Sequence, residues 1–83
     1  MNKILIEVKL PVADMTYDIL VPDTMQIGTL TELVSKVFTR LSKGVYSSTG
    51  SALLCESNTG KEYDMNMRVY ETDIHNGTKL LLY

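Results

Sequence analysis

The sequence has few of the residues that build catalytic, metal or nucleic-acid sites. Its 83 residues include one cysteine, one histidine and no tryptophan. A single thiol excludes an intrachain disulfide and any iron–sulfur or metal site held by four cysteines. Ten acidic residues outnumber eight basic ones, and the net charge of -2 disfavours nucleic-acid binding, which requires a basic surplus.

Long apolar runs are missing as well. The stretch after Lys3 is only Ile4-Leu5-Ile6 before Glu7 interrupts it, which is too short for a signal peptide. No run approaches the roughly 20 apolar residues that span a bilayer. We therefore expect a complete, soluble and cytoplasmic protein of one domain, residues 1–83, with no membrane insertion and no nucleic acid as partner.

Two alternating segments predict a β-hairpin. Over residues 3–10 and 15–21 apolar side chains recur at every second position, which is the period of a strand with one buried face. Leu5 and Leu20 are apolar exceptions on the polar side. A turn over residues 11–14 would pair the two strands in antiparallel orientation.

A change of period after the hairpin predicts a helix over residues 28–42. Thr29 and Glu32 fit a capping box at its start, and Gly44 fits a left-handed C-cap. The apolar positions recur at steps of three and four residues and form one stripe. They are Ile27, Leu30, Leu33, Val34, Val37, Phe38 and Leu41.

Basic residues gather towards the end of this predicted helix. Lys36, Arg40 and Lys43 suit the negative end of the helix dipole. We interpret them as a solvated face, with partner binding as the alternative.

Turn residues divide the rest of the chain into short segments. The predicted order is a surface loop (44–51), a strand (52–56), a turn (57–60), a very short strand (61–63), a stretch without period (64–73), a turn at Asn76-Gly77 and a last strand (78–83).

This order predicts an α+β fold of the ββαββ type, a mixed sheet with one helix packed across one face. The leucine-rich last strand belongs in the interior of the sheet. The predicted core consists of Ile4, Ile6, Met15, Tyr17, Ile19, Leu30, Val34, Val37, Leu80 and Leu82.

Two segments resemble ubiquitin-like proteins. Val21-Pro22-Asp23-Thr24-Met25, followed by Ile27 and Leu30, is similar to the passage from strand to helix in that fold, and residues 69–82 are similar to its closing segment. The resemblance covers nearly the whole chain and implies the β-grasp (ubiquitin-like) fold.

Among bacterial members the chain is most similar to the YukD/EsaB group, small ubiquitin-like cytosolic proteins encoded with type VII secretion systems. The shared features are the length, the charged and apolar opening strand, the Ile27-x-x-Leu30-x-x-Leu33 helix entry and an ending on the last strand. The resemblance implies an accessory or regulatory component of the secretion machine that acts through protein contacts.

No residue pattern predicts an active site. Cys55 lies in an apolar strand, where a thiol packs, and His75 lies in a turn without other metal ligands. The carboxylates near the turns are interpreted as solvated charges, and Gly60-Lys61 lacks the rest of a phosphate-binding loop. We therefore predict no enzyme, no cofactor and no metal.

The alternative function is a ubiquitin-type modifier or a sulfur carrier. Both need a free C-terminal tail, usually Gly-Gly, because a flexible unbranched end must enter the channel of an activating enzyme. The sequence ends Leu80-Leu81-Leu82-Tyr83 inside the predicted last strand, which disfavours this function.

Strand alternation predicts a protein-binding face. If Leu80 and Leu82 point to the helix, Leu81 and Tyr83 point to the opposite, open face of the sheet.

The two apolar exceptions of the hairpin fall on the same face by the same alternation. One of Leu53 and Leu54 joins them, and alternation does not decide which; Leu54 is taken as the candidate. Contiguous apolar surface of this extent marks an interface. The partners are expected to be other proteins such as secretion-machine components, with a homo-oligomer as an open alternative. The candidate face is Leu5, Leu20, Leu54, Leu81 and Tyr83.

Overall fold

Four strands and one helix follow the order that the sequence predicts. The structure, a computed structural model, describes residues 2–47 and 52–83. The elements are β1 (Lys3–Leu10), β2 (Met15–Pro22), α1 (Ile27–Leu41), β3 (Leu54–Glu56) and β4 (Lys79–Leu82), with 3-10 turns at Pro11–Ala13 and Val69–Glu71.

The strands form one mixed sheet in the order β2-β1-β4-β3, in which β1 and β4 are parallel and the other neighbours are antiparallel. The helix packs on one face of this sheet. The predicted α+β architecture and the interior position of the last strand are confirmed.

The hairpin pairs along its whole length, from Lys3 opposite Pro22 to Leu10 opposite Met15. Asp14 closes its turn in the left-handed conformation, at φ 49°, and its N–H donates to the Pro11 carbonyl at 3.2 Å. Aspartate tolerates this conformation better than most residues do.

Helix α1 begins one residue before the predicted start and is not capped by Thr29. The N-cap is Gln26, whose side chain makes no capping hydrogen bond. The first free N–H groups, those of Ile27 and Gly28, donate to the carbonyls of Met67 and Met65 at 2.8 and 2.9 Å. The capping box was therefore a wrong prediction, because a distant backbone segment already satisfies these donors.

The stretch without period holds the helix entry in place. The N–H of Val69 donates to the Met25 carbonyl and that of Tyr70 to the Asp23 carbonyl, both at 2.9 Å. Val69 is fully buried. Backbone bonds carry no side-chain period, which explains why residues 64–73 showed none.

The core agrees with most of the predicted positions. Tyr17 and Val37 are exposed, so the prediction was wrong for both. The Tyr17 ring lies at the rim and contacts Phe38 edge-on, with centroids 5.6 Å apart. Of the other predicted positions, Ile6, Leu30, Val34, Leu80 and Leu82 are buried, and Ile4, Met15 and Ile19 pack partly buried against them.

The short strands are shorter than predicted. β3 covers three of the five predicted residues, and the predicted strand 61–63 is a single bridge between Glu62 and Cys55. In the predicted loop 44–51, the Tyr46 side chain is buried. Residues 48–51 lie outside the described part of the chain.

Candidate protein-binding surfaces

The sheet register places most of the predicted face on the side opposite α1. Leu5 lies directly opposite Leu20, and both are exposed. Leu81, which is half-buried, lies opposite Cys55 on the neighbouring strand.

Leu54 was the wrong choice for this face. It lies opposite Leu82, which faces the helix, and its side chain is 1% exposed. Leu53 is 38% exposed, and its backbone exchanges two hydrogen bonds with Tyr83, at 2.9 and 3.0 Å. Residues directly opposite in an antiparallel pair share a face, so Leu53 joins Tyr83 on the open side. The pairing of Tyr83 confirms that the last residue continues the sheet.

A charged row crosses the open face and divides it. Glu7 lies opposite Asp18 on one side and beside Lys79 on the other. The row of Leu5 and the row of Leu81 are four residues apart along the strands, or roughly 13 Å at about 3.3 Å per residue. The predicted side chains therefore do not form one contiguous patch.

The apolar surface on the C-terminal side of this row is here called the terminal patch and consists of Leu53, Leu81 and Tyr83. At one end Tyr83 also lines a shallow groove of about 310 Å³ with Pro11, Val12 and Val45. The buried Tyr46 anchors this end of the molecule, because its hydroxyl donates to the Tyr83 carbonyl at 3.3 Å. The groove was missed at the level of sequence because its walls come from two loops without period.

A second apolar surface lies on the helix. Leu33, Val37 and Leu41 follow one another at four-residue steps along one flank of α1, and all three are exposed. They line a groove of about 290 Å³ with Lys36 and Arg40. We call these three residues the helix ridge. The sequence analysis included them in the apolar stripe of the helix, because spacing alone does not show which residues of the stripe are buried.

Cys55 is a packed thiol. Its side chain is buried, and this burial raises the pKa of the thiol, with the nearby Glu62 carboxylate raising it further. A thiol with a raised pKa stays protonated at neutral pH and is a poor nucleophile.

The polar groove around His75 consists of turn contacts. The His75 Nδ1 atom lies 2.9 Å from the Asp73 carbonyl and 3.1 Å from the Thr78 hydroxyl. The Glu56 carboxylate accepts hydrogen bonds from the N–H groups of Asn58 and Thr59 and from the Thr59 hydroxyl. These bonds, that of the Asn58 N–H foremost, lower the pKa of Glu56. Each polar group thus stabilises a turn.

Tyr63 borders the same groove. Its hydroxyl is buried and has no hydrogen-bond partner among the described residues. Burial raises the pKa of Tyr63, and the nearby Asp73 carboxylate raises it further, although no oxygen of Asp73 has the distance and angle to accept a hydrogen bond from the Tyr63 hydroxyl. The Lys61 ammonium group lies over the Tyr63 ring, 5.6 Å from its centre.

Within residues 2–47 and 52–83, no group of three or more His, Cys, Asp or Glu side chains is arranged to hold a metal ion. In that same part of the chain, no helix has the length and apolar character needed to cross a membrane.

Sequence comparison adds no relative. No protein-family model matches the chain, and the search of curated proteins found no match.

Solved structures resemble the whole chain. The ubiquitin-like domain of EccD5 from Mycobacterium xenopi is 16% identical, with a TM-score of 0.81 over 100% of this chain and 94% of that one. The ubiquitin-like domain of the type VII secretion system protein EccD1 from Mycobacterium tuberculosis is 11% identical, with a TM-score of 0.75 over 99% and 98%. A chain of the toluene 4-monooxygenase HD complex is 9% identical, with a TM-score of 0.82 over 98% and 96%. At these identities the likeness concerns the fold alone, and the chain has the ubiquitin-like β-grasp fold.

Proposed function

We propose that this chain is a non-catalytic protein-interaction module that acts in the cytosol as an accessory or regulatory component of a bacterial type VII secretion system, in the manner of the YukD/EsaB group. Ubiquitin-like domains of EccD proteins share its fold over 94% and 98% of their lengths. A fold hosts many functions, so the proposal also requires a suitable surface.

The terminal patch is the observation that carries the proposal. Tyr83 and Leu53 present exposed apolar side chains next to each other on the open face of the sheet. An aromatic anchor beside aliphatic side chains is the composition found at the centre of protein interfaces.

The non-catalytic part of the proposal draws on the titratable side chains. The Cys55 thiol is buried with a raised pKa, and both His75 and Glu56 are held in turns. A nucleophile needs an adjacent base and an accessible position. The Cys55 side chain is buried, and the Nδ1 atom of His75 contacts the Asp73 carbonyl and the Thr78 hydroxyl.

Site-specific photo-crosslinking in the native host tests the proposal. A crosslinking amino acid at position 83 should capture a component of the secretion machine, whereas one at position 70 should not. Tyr70 is the matched control, because it is another exposed tyrosine but lies on the 3-10 turn away from β4.

A secretion assay completes the test. Deletion of the gene should lower export of type VII substrates. When each variant is expressed in the deletion strain, Tyr70→Ser should restore export fully and Tyr83→Ser only in part. Unchanged export after deletion, together with no secretion component among the crosslinked proteins, would rule out the secretion assignment.

A further inference from the structure

On α1 a polar flank is buried and an aliphatic flank is exposed to solvent, which is the reverse of the usual arrangement. Thr31 and Ser35, on one flank, are 3% and 1% exposed. Leu33, Val37 and Leu41, on the other, are 46%, 41% and 41% exposed. The chain thus covers the hydroxyl-bearing flank and leaves the aliphatic flank open.

The hydroxyl flank is satisfied within the helix. Thr31 Oγ1 donates to the Ile27 carbonyl and Ser35 Oγ to the Glu32 carbonyl, both at 2.8 Å. Burying these groups therefore leaves no donor unpaired, and Ala52 and Met65 pack nearby.

The helix ridge has the geometry that packs against another helix. Single exposed aliphatic residues are normal on protein surfaces. Three at four-residue steps instead form the kind of ridge that enters the groove of a facing helix. The ridge already borders a groove of about 290 Å³, with Lys36 and Arg40 forming its polar wall.

Positive charge borders the ridge, although the chain is acidic overall. Residues 27–43 contain three bases, Lys36, Arg40 and Lys43, and one acid, Glu32, whereas the whole chain has a net charge of -2. Glu32 pairs with Lys36 at 3.1 Å, so the positive charge is concentrated near the C-terminal end of the helix. The partial negative charge at the C-terminal end of α1 offsets only part of the charge of these basic side chains. Their exposed side chains therefore still favour a partner that carries carboxylates.

We propose that the helix ridge is a docking surface for an amphipathic helix of another protein, whose apolar stripe is bordered by aspartate or glutamate residues. The inference goes beyond the proposed function, because it depends neither on the secretion system nor on the terminal patch. It is an instance of helix-in-groove recognition, in which apolar anchors give affinity and flanking charges give orientation.

A second copy of this chain fits the ridge less well. Glu32 is the one acidic residue of residues 27–43 and already pairs with Lys36, so a facing copy offers no free carboxylate on its own ridge to Arg40 and Lys43. An anionic lipid surface would match the charge. However, the main apolar face of α1, with Leu30, Val34 and Phe38, is buried in the core, so only a narrow flank could enter a bilayer.

Titration of the isotope-labelled chain with two synthetic helical peptides tests the proposal by NMR. Both peptides carry a leucine ridge at four-residue steps, one bordered by glutamate and the other by lysine. The glutamate peptide should shift the amide signals of Leu33, Val37 and Leu41 and bind about tenfold more tightly than the lysine peptide.

Variants separate the contributions to this binding. Leu33→Gln should weaken the glutamate peptide about tenfold, as expected for an apolar anchor. Leu20→Gln is the matched control, because Leu20 is also an exposed leucine but lies on the open face of the sheet, opposite the helix, and it should leave binding unchanged. Arg40→Gln should reduce the difference between the two peptides. The unchanged amide pattern of each free variant verifies that it is folded.

Four results would overturn the proposal. They are equal binding of the two peptides, equal weakening by Leu20→Gln, ridge-dependent sedimentation with phosphatidylglycerol vesicles in place of peptide binding, and a dimer of the free chain that Leu33→Gln dissociates. Because none of these assays involves position 83 or the secretion machine, their failure is distinguishable from failure of the proposed function.

Discussion

Ser35 and Val37 lie two residues apart on α1 and have exchanged the environments expected of them: Ser35 is 1% exposed and Val37 is 41% exposed. Met65 lies beside the flank that carries Ser35, where its sulfur atom is 3.7 Å from the Thr31 hydroxyl. Because of this arrangement, substitutions at buried positions of α1 should affect stability, whereas substitutions at exposed positions should affect only the surface of the helix.

Val34→Ala and Val37→Ala test that separation with the same substitution one turn apart. Val34 is buried, so its truncation should lower the free energy of unfolding by about 1–3 kcal/mol. Val37→Ala should change it by less than about 0.5 kcal/mol, because Val37 is 41% exposed and the higher helix propensity of alanine offsets the contacts that are lost. Urea unfolding followed by circular dichroism measures both. Equal losses would show that Val37 is part of the core.

Leu53 and Leu54 offer the same comparison in the sheet. Leu54→Ala should cost about 2–5 kcal/mol, because the side chain is fully buried against the helix side of the sheet. Leu53→Ala should cost less than about 1 kcal/mol and should weaken binding at the terminal patch. Thermal unfolding and the crosslinking yield at position 83 measure the two effects. A larger loss at Leu53 would reverse the assignment of the two faces.

The fold was predictable from the sequence because its long elements have clear periods. Alternation located β1 and β2 within one residue, and the three- and four-residue steps located α1. The short strands could not be bounded in the same way. In β3, alternation places the charged Glu56 on the same face as the buried Leu54. Glu56 tolerates this position because its carboxylate accepts hydrogen bonds from the turn that follows. Polarity therefore gave no signal for choosing between Leu53 and Leu54.

The candidate surfaces were predictable only in part, for a reason of register. Alternation assigned Leu5, Leu20, Leu81 and Tyr83 to the correct side, but it contains no information on how far β4 is shifted along β1. The parallel pairing of Lys79 with Glu7 fixes that shift and divides the face. The helix ridge could not be predicted for a related reason. The apolar stripe of α1 does not show which of its residues the rest of the chain buries and which it leaves exposed.

Gly28 and Thr29 test how α1 begins. A Cβ atom at Gly28 would lie 3.1 Å from the Met65 carbonyl oxygen. This contact is close enough to strain the hydrogen bond that the Gly28 N–H donates to the same oxygen. Gly28→Ala should therefore destabilise the domain by about 1–3 kcal/mol, despite the higher helix propensity of alanine. Thr29→Ala should change the free energy of unfolding by less than about 0.5 kcal/mol, because Thr29 is exposed and does not cap the helix. A loss near 1 kcal/mol at Thr29 would restore the capping box.

Tyr63 and Tyr46 differ in one respect that a conservative substitution isolates. The buried hydroxyl of Tyr63 has no hydrogen-bond partner among the described residues, whereas that of Tyr46 donates to the Tyr83 carbonyl. Tyr46→Phe should therefore lower the free energy of unfolding at pH 7 by about 0.5–1.5 kcal/mol. Tyr63→Phe should leave it unchanged or raise it, because the substitution removes an unsatisfied polar group.

The pH dependence of stability provides the second measurement for Tyr63. Burial raises its pKa in the folded state, so the unfolded state loses the phenolic proton first as the pH rises. The contribution of this group to stability is complete below the unfolded pKa of about 10 and is lost as the pH rises towards the folded pKa. The free energy of unfolding of the natural protein should therefore begin to fall at about pH 10 and continue to fall as the pH rises further. That of Tyr63→Phe should fall less steeply because the Tyr63 contribution is removed, and it should still fall because Tyr46 and Cys55 also have raised pKa values. Urea titrations at half-unit steps measure both curves. Parallel curves for the two proteins would show that the Tyr63 hydroxyl is accessible to water in the folded state.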